Sequence, residues 1–339
     1  MRVKINGKYS LFFNNITLSR KLDSIASTFS VSVRFNPDNE FHKSLVKPLS
    51  FHSIEFFNDD DIVIFTGTIL TQSFKSASNR SLVALGGYSK PGILEDCTLP
   101  YENYPLENNN KNLIDIAEEV CGIYSIKTVF DDNVLNEAER IYEKSVLSPT
   151  DTIKSYLNKL TSQRNIVLGH TADGKVQFSK PNFKSKPKFL FNKENSISMS
   201  NDVNGQGIHG IIGVIRQPSI KNAGVQSYDS VINPLLNNNR NIMKVLSNGE
   251  DTDTSKAAAN ELATELKNIS VNVSVKDIID LNPGDVVEVQ NKEIYLYNKT
   301  IFVISEINYT INNGKTESDL KLVLPETFTS EQPKKIFDA

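Results

Sequence analysis

The sequence predicts an α+β fold that is mainly β, with two small β-barrel domains and an α/β domain inserted between them. Three observations carry this prediction. Strand-like alternation dominates residues 1–95, helical and strand patterns alternate over 96–185, and strands return from Lys188 onward. At 339 residues the chain suggests two to four domains. Its 39% hydrophobic content and mean hydropathy of −0.30 describe a protein that buries real cores.

In the first domain, residues 1–95, Arg2–Ile5 alternates as a strand and Ser10–Asn15 reads as a second, short one. Leu22, Ile25, Ala26 and Phe29 recur at helical spacing and predict one helix with an apolar stripe toward the neighbouring sheet. Phe51–Phe57, Ile62–Leu70 and Ser81–Leu85 follow as strands, the run Leu82–Ser89 carrying a double-glycine turn. The acidic turn Asn58-Asp-Asp-Asp61 separates the first two. Strands around a lone helix fit a small, partly closed barrel, which pairs its own edges.

Over 96–185 the pattern changes. Asn112–Cys121 predicts an amphipathic helix and Ser125–Val129 a strand. Ser148-Pro-Thr-Asp151 reads as a helix start, with Ser148 as cap, Pro149 in the first turn and Asp151 at the capping-box position. Ile153, Tyr156, Leu157 and Leu160 then supply the buried stripe. Ile166–Gly169 and Lys175–Phe178 flank Ala172-Asp-Gly174 as a hairpin.

From Lys188 the predicted strands are Phe189–Phe191, Ile197–Met199 and Gly210–Arg216. Residues 217–254 are polar and Asn-rich and predict a long loop with little core. Ser255–Leu266 predicts a helix, with Ala259, Leu262, Ala263 and Leu266 on one face. Strands follow at Val271–Val275, Asp285–Val289, Glu293–Tyr297, Thr300–Tyr309 and Ser318–Leu324, turning at Pro283-Gly284 and Asn312–Gly314. The second barrel is therefore discontinuous, 186–216 plus 269–325, with 217–268 as an excursion loop and helix. The tail 326–339 has Phe328 and Phe337 as its core residues and is expected to be mobile unless docked.

Composition excludes several function classes. A net charge of −3 and a pI near 5.9 argue against a nucleic-acid binder, which needs concentrated basic surface. No apolar run is long enough for a spanning helix, and the N-terminus lacks the apolar region of a signal peptide, so the chain reads as made and kept in cytoplasm. Cys97 and Cys121 are too few for a disulfide framework; a disulfide between them is one reading, and two buried thiols in a reducing compartment the favoured one. His42, His52, His170 and His209 lack ligand spacing, so neither a metal nor a cofactor is expected. The Asn-x-Ser/Thr triplets, such as Asn15-Ile-Thr17 and Asn298-Lys-Thr300, carry no weight in a chain this rich in Asn, Ser and Thr.

Four constellations invite a chemical reading. Gly205-Gln-Gly207-Ile-His-Gly210 looks like a phosphate loop, but a strand-like run succeeds it where a helix N-terminus is required. Asp59, Asp60 and Asp61 offer carboxylates, yet consecutive acids in a turn lack the alternate spacing of a calcium loop and read as solvated. Cys97 or Cys121 with His170 would make a nucleophile–base pair on paper; Cys121 lies on an apolar helix face, which favours packing, and no G-x-S-x-G is present. Glu95 and Asp96 serve a local turn. The basic runs Lys180–Lys188 and Lys334-Lys335 read as linker surface. No catalytic, cofactor-binding or metal-binding residue is assigned, and no enzyme activity is expected.

The order of several weak motifs resembles the baseplate hub proteins of phage tails, of Mu and T4 type. Leu22-Asp23 and Ala26-Ser-Thr-Phe29 are similar to that family's early helix, Phe65-Thr-Gly67-Thr-Ile69 to a strand before a hairpin, and Leu94-Glu-Asp-Cys-Thr98 to the segment ending the first barrel. Asn112–Val129 and Ser148–Phe178 resemble the inserted α/β unit, and Leu281-Asn-Pro-Gly-Asp285 with Ile301–Tyr309 the last strands of the second barrel. Gly86-Gly-Tyr-Ser89 departs from the pattern by lacking an arginine. The resemblance implies a structural virion protein assembled in host cytoplasm. It further implies a homotrimer of subunits with two tail-tube-like barrels each, joining the hexameric tail tube, or tube-terminating baseplate proteins, to the trimeric central spike, and a channel that DNA is expected to pass without specific binding. The alternatives are a tail-tip cell-wall hydrolase, which should show a zinc or carboxylate motif, and a receptor- or carbohydrate-binding virion protein, which should show repeats or exposed aromatics.

Overall fold

Alternation of buried and exposed side chains sets the strands of the N-terminal sheet. In this computed structural model the described residues are all except 11–12, 77–81, 105, 183, 217–226, 237–239, 247–253, 278–279, 313 and 338–339. The chain forms two compact units, one from residues 1–180, 276–283 and 306–319, the other from 181–275, 284–305 and 320–339. The fold is mainly β, with several sheets and short helices.

The first unit begins with β1 (Arg2–Ile5), β2 (Lys8–Ser10), β3 (Phe13–Lys21), β4 (Thr28–Arg34), α1 (Glu40–Leu45), β5 (Ser53–Phe57), β6 (Val63–Lys75) and β7 (Leu82–Ser89). The strand order is β3-β4-β7-β6-β5-β1-β2, all antiparallel, and residues 306–312 add a further strand beside β3. Among the described residues the two ends of this order are not paired with each other. The inward faces carry Ile16, Leu18, Val31, Ile54 and Phe65, all fully buried. The rings of Phe29, Phe56 and Phe65 meet at centroid distances of 5.6–5.9 Å.

Two expectations fail here. The predicted helix around Leu22–Phe29 is a corner between two strands. Leu22 and Ile25 lie in the turn and Phe29 in β4, opposite Leu18 of β3. All three are buried as expected; a tight corner returns apolar residues inward at the same three-to-four-residue interval as a helix. The double glycine Gly86-Gly87 is no turn either. It sits inside β7, where a Cβ on Gly87 would lie 2.0 Å from the Thr68 carbonyl oxygen and 2.9 Å from the Phe29 ring. The glycines let backbone and ring approach.

The same unit continues through α2 (Ile93–Asp96), β8 (Lys111–Asn112), α3 (Leu113–Gly122), β9 (Thr128–Phe130), α4 (Leu135–Ala138), β10 (Ile141–Tyr142), α5 (Ile153–Ser162), β11 (Val167–His170) and β12 (Val176–Ser179). β8 pairs with β10, and β12 lies between antiparallel β11 and parallel β9. Asn112 caps α3, its side chain accepting from the Asp115 N–H. One core joins Ile116, Ala117 and Val120 of α3 to Tyr156, Leu157 and Leu160 of α5 and to Phe178 of β12, and takes in Ile25 and Leu94. The cap of α5 is Thr152, whose hydroxyl accepts from the Ser155 N–H. Ser148, expected as the cap, lies one turn earlier, where its carbonyl accepts from the Asp151 N–H.

The second unit contains β13 (Leu190–Phe191), β14 (Ser198–Val203), β15 (Ile211–Arg216), β16 (Ser227–Ile232), β17 (Asn241–Leu246), α6 (Thr254–Leu266), β18 (Ile269–Lys276), β19 (Val286–Asn291), β20 (Leu296–Asn312), β21 (Lys315–Val323) and α7 (Glu326–Thr329). The main sheet runs β14-β18-β21-β20-β19-β13. β20 and β21 each give one part to the first unit and the rest to the second.

Three readings need correction here. The stretch 217–254, expected to be a loop, contains β16 and β17, which flank β15 in a sheet of their own; β15 thus pairs with neither β18 nor β19. Ser-Tyr-Asp-Ser-Val-Ile and Asn-Ile-Met-Lys-Val-Leu do not alternate apolar with polar residues, and Asn-rich sequence bounds them, so periodicity does not find them. α6 covers one face of this sheet, with Ala257 and Ala258 against Val214 and Val231. The strand expected at Glu293–Tyr297 is a 3-10 turn, with Tyr295 at φ 65°, and extended backbone resumes at Leu296. The tail is docked: residues 326–329 form α7 with all four side chains buried, and the Ser330 hydroxyl lies 2.7 Å from Asn260 Oδ1.

Candidate functional site

The side chains with chemical potential are distributed, each held by local structure. Asp59, Asp60 and Asp61 form the turn between β5 and β6, where the Asn58 side chain accepts from the Asp60 and Ile62 N–H groups. Asp59 pairs with the N-terminal amine and Asp61 with Arg2. The amine's hydrogen bond holds the Asp59 carboxyl below the usual range. These acids fasten the start of the chain to a hairpin and do not converge on a common point.

Both cysteines are free thiols. Cys121 is fully buried on α3, and burial pushes its thiol up to about 12, which removes it as a nucleophile near neutral pH. His170 ends β11 with its ring edge-on to Phe65 at 6.1 Å and Nδ1 2.9 Å from the Thr171 carbonyl oxygen. Burial pushes it down to about 4, so it stays neutral near neutral pH. Neither residue is hydrogen-bonded to the other.

The glycine loop is filled from within. Gly205–Gly207 is a 3-10 turn capped by Asn204, and the Asn268 side chain occupies the space beside Gly207 while donating to its carbonyl at 3.1 Å. Glu265 accepts from the His209 backbone N–H and lies 2.8 Å from its Nδ1. The loop leads into β15, in line with its strand-like sequence, and not into a helix N-terminus. A shallow groove of about 500 Å³ runs along α5, bridged by a Lys154–Glu95 pair at 2.5 Å. Among the described residues no group of three or more His, Cys, Asp or Glu is placed to hold a metal ion. No described helix is long and apolar enough to cross a membrane.

The prominent features are surfaces. The face of the β15–β17 sheet away from α6 exposes Ile211, Tyr228, Ile232, Met243 and Val245. Sequence reasoning missed it because β16 and β17 read as loop; the aromatic and β-branched residues Tyr228, Val231 and Ile232 were the available signal. The basic run Lys180–Lys188 is largely exposed, with Lys188 2.8 Å from Asp285.

Among the described residues the arrangement is one of β-rich units without a converged reactive centre, and the solved structures it resembles in shape include tail proteins. Neither a protein-family model nor a curated protein sequence matches the chain. Solved structures do match along nearly its whole length. A tail protein from Neisseria meningitidis MC58 superposes with TM-score 0.79 at 18% identity, covering 97% of each chain. A 43 kDa tail protein of prophage MuSo2 from Shewanella oneidensis gives 0.78 at 16% identity, over 96% of this chain and 99% of that one. A type VI secretion component from E. coli, described as similar to T4 tail proteins gp27 and gp5, gives 0.60 at 10% identity, over 99% and 80%. The chain has the fold of these tail proteins, and the resemblance drawn from its motifs holds at that level.

Proposed function

We propose that the chain is a phage-type baseplate hub, a structural protein of the virion tail that forms a homotrimer between the tail tube and the central spike. One observation carries this reading: the fold match to tail proteins spans both units from end to end, with 97% of each chain covered in one case. A fold shared over the whole length implies that the parts are used together, as a ring component requires. Two β-rich regions per subunit, residues 1–95 and the strands β18–β21, would give three subunits six similar domains, which lets a threefold spike meet a sixfold tube. DNA passes through such a ring without specific binding, in keeping with a net charge of −3. The role needs no catalysis, and the dispersed placement of Asp60, Cys121 and His170 favours it over a cell-wall hydrolase. Assembly takes place in the host cytoplasm before the tail is complete.

Light scattering on the purified protein tests the reading. The expected mass is near three times 37.9 kDa alone at high concentration, or that mass plus the spike's own when spike protein is present. A strict monomer under both conditions excludes the ring.

A further inference from the structure

Charge is distributed along this chain in two opposed blocks. Residues 96–147 hold eleven carboxylates and four basic residues, a net of −7, while 148–216 hold ten basic residues and four carboxylates, a net of +6. Both blocks nearly vanish in the overall −3. Ten of the eleven carboxylates are exposed. Glu119 pairs with Lys111 and Glu137 with Arg140, whereas Glu107, Glu139 and Glu143 form no ion pair among the described residues.

Acidity alone describes any solvated face. The second observation is apolar: Ile141 on β10 is 64% exposed and Val146, bridged to Glu107, is 48% exposed. Val146 is bridged to Glu107, and Ile141 stands between Glu139 and Glu143 in the chain, so each exposed apolar side chain has carboxylates beside it, the mixed apolar and charged composition of a contact surface. The third observation is the complement on the same chain, Lys184, Lys186, Lys188 and Lys193, all exposed. Lys188 and Lys193 are tied to Asp285 and Glu293, yet their side chains keep more than half their surface in solvent.

We propose that the acidic surface around Ile141 and Val146 docks onto the Lys184–Lys193 segment of a second copy of this chain. The inference rests on the ring reading above and names the contact that closes it. Acid-to-base docking is heterologous, one patch against a different patch, and heterologous contacts generate rings where isologous ones stop at dimers. Opposite blocks steer two copies into one orientation and repel acid-to-acid and base-to-base encounters.

The test is charge reversal in the full chain, followed by sedimentation at low and high salt, with circular dichroism confirming that each variant folds. Wild-type association should weaken about tenfold or more between low and high salt, because exposed charges are screened beyond ~10 Å at 0.1 M. Glu139→Lys with Glu143→Lys should weaken it similarly, as should Lys184→Glu with Lys186→Glu. The chain carrying all four reversals should associate nearly as well as wild type, since each contact again joins opposite signs. Two single-sided losses without recovery in the fourfold variant overturn the proposal. A trimer indifferent to salt and to either reversal also overturns it, leaving the ring reading standing with its interface elsewhere. A wild-type monomer, even with spike protein, removes the ring itself and the proposal with it.

Discussion

Gly87 shows how a single atom decides the packing of β7. A Cβ there would meet both the Thr68 carbonyl oxygen and the Phe29 ring. Gly87→Ala should therefore cost about 3 kcal/mol or prevent folding, read as a lower urea midpoint. His170 makes a second case. Its folded-state value of about 4 lies below the ordinary 6.5, so between those values the unfolded chain binds the proton and the folded chain does not. Stability is then full above about 6.5 and falls as the pH drops toward 4, by roughly 3 kcal/mol at most. Urea unfolding of the wild type should show this loss between pH 7.5 and 4.5, and His170→Gln should flatten it relative to wild type. An unchanged pH slope in the variant would assign the acid sensitivity to other groups. Cys121 gives a kinetic counterpart: with its thiol pushed to about 12, a thiol reagent at pH 8 should label Cys97 in the folded protein and reach Cys121 only on unfolding.

Elements differ in how plainly they are written. α3 was legible because Asn112 caps it and Leu113, Ile116, Ala117 and Val120 fall on one face. The start of α5 was misplaced by four residues, since Ser148-Pro-Thr-Asp151 and Thr152 both carry capping chemistry and the choice is made by where Ile153 enters the core. Thr152→Ala should cost about 1 kcal/mol and Ser148→Ala little, a difference that thermal unfolding separates. The corner at Leu22–Ile25 and the strands β16 and β17 were not legible. In the first, burial comes from β3 and β4 meeting across space. In the second, the strands carry no apolar–polar alternation and are bounded by Asn-rich sequence. α7 was hidden too, because Glu326, Thr327 and Thr329 are buried by α6 and not by their own hydrophobicity. Ending the chain after Pro325 should lower stability by about 2 kcal/mol or more, through the loss of Phe328 packing; unchanged unfolding would show α7 to be an ornament.

For the whole molecule, the mainly β class followed from periodicity, and the order of weak motifs pointed to the tail-protein fold that the superpositions support. What no local pattern specified is the division of β20 and β21 between two units. Strand partners as distant in the chain as Ile16 and Ile311 leave no trace in a short sequence window. The candidate surfaces were half visible: the basic run Lys180–Lys188 stood out in the sequence, whereas its acidic counterpart became a surface only when β8 and β10 brought Glu107 beside Val146.

The position of residues 306–312 sets a clock on biosynthesis. Ile16 and Leu18 lie in β3, whose open side is covered by that segment, with Ile311 opposite Ile16 and Tyr309 opposite Leu18. A ribosome adding 5–20 residues per second needs roughly 15–60 s to travel from one partner to the other. Throughout that interval the nascent chain shows an uncapped strand edge beside an apolar face, a template for pairing with any neighbouring nascent chain on the same messenger. Chains released early, before residue 312, would keep that edge permanently and enter inclusion bodies, whereas chains that extend past it seal the edge with residues 306–312.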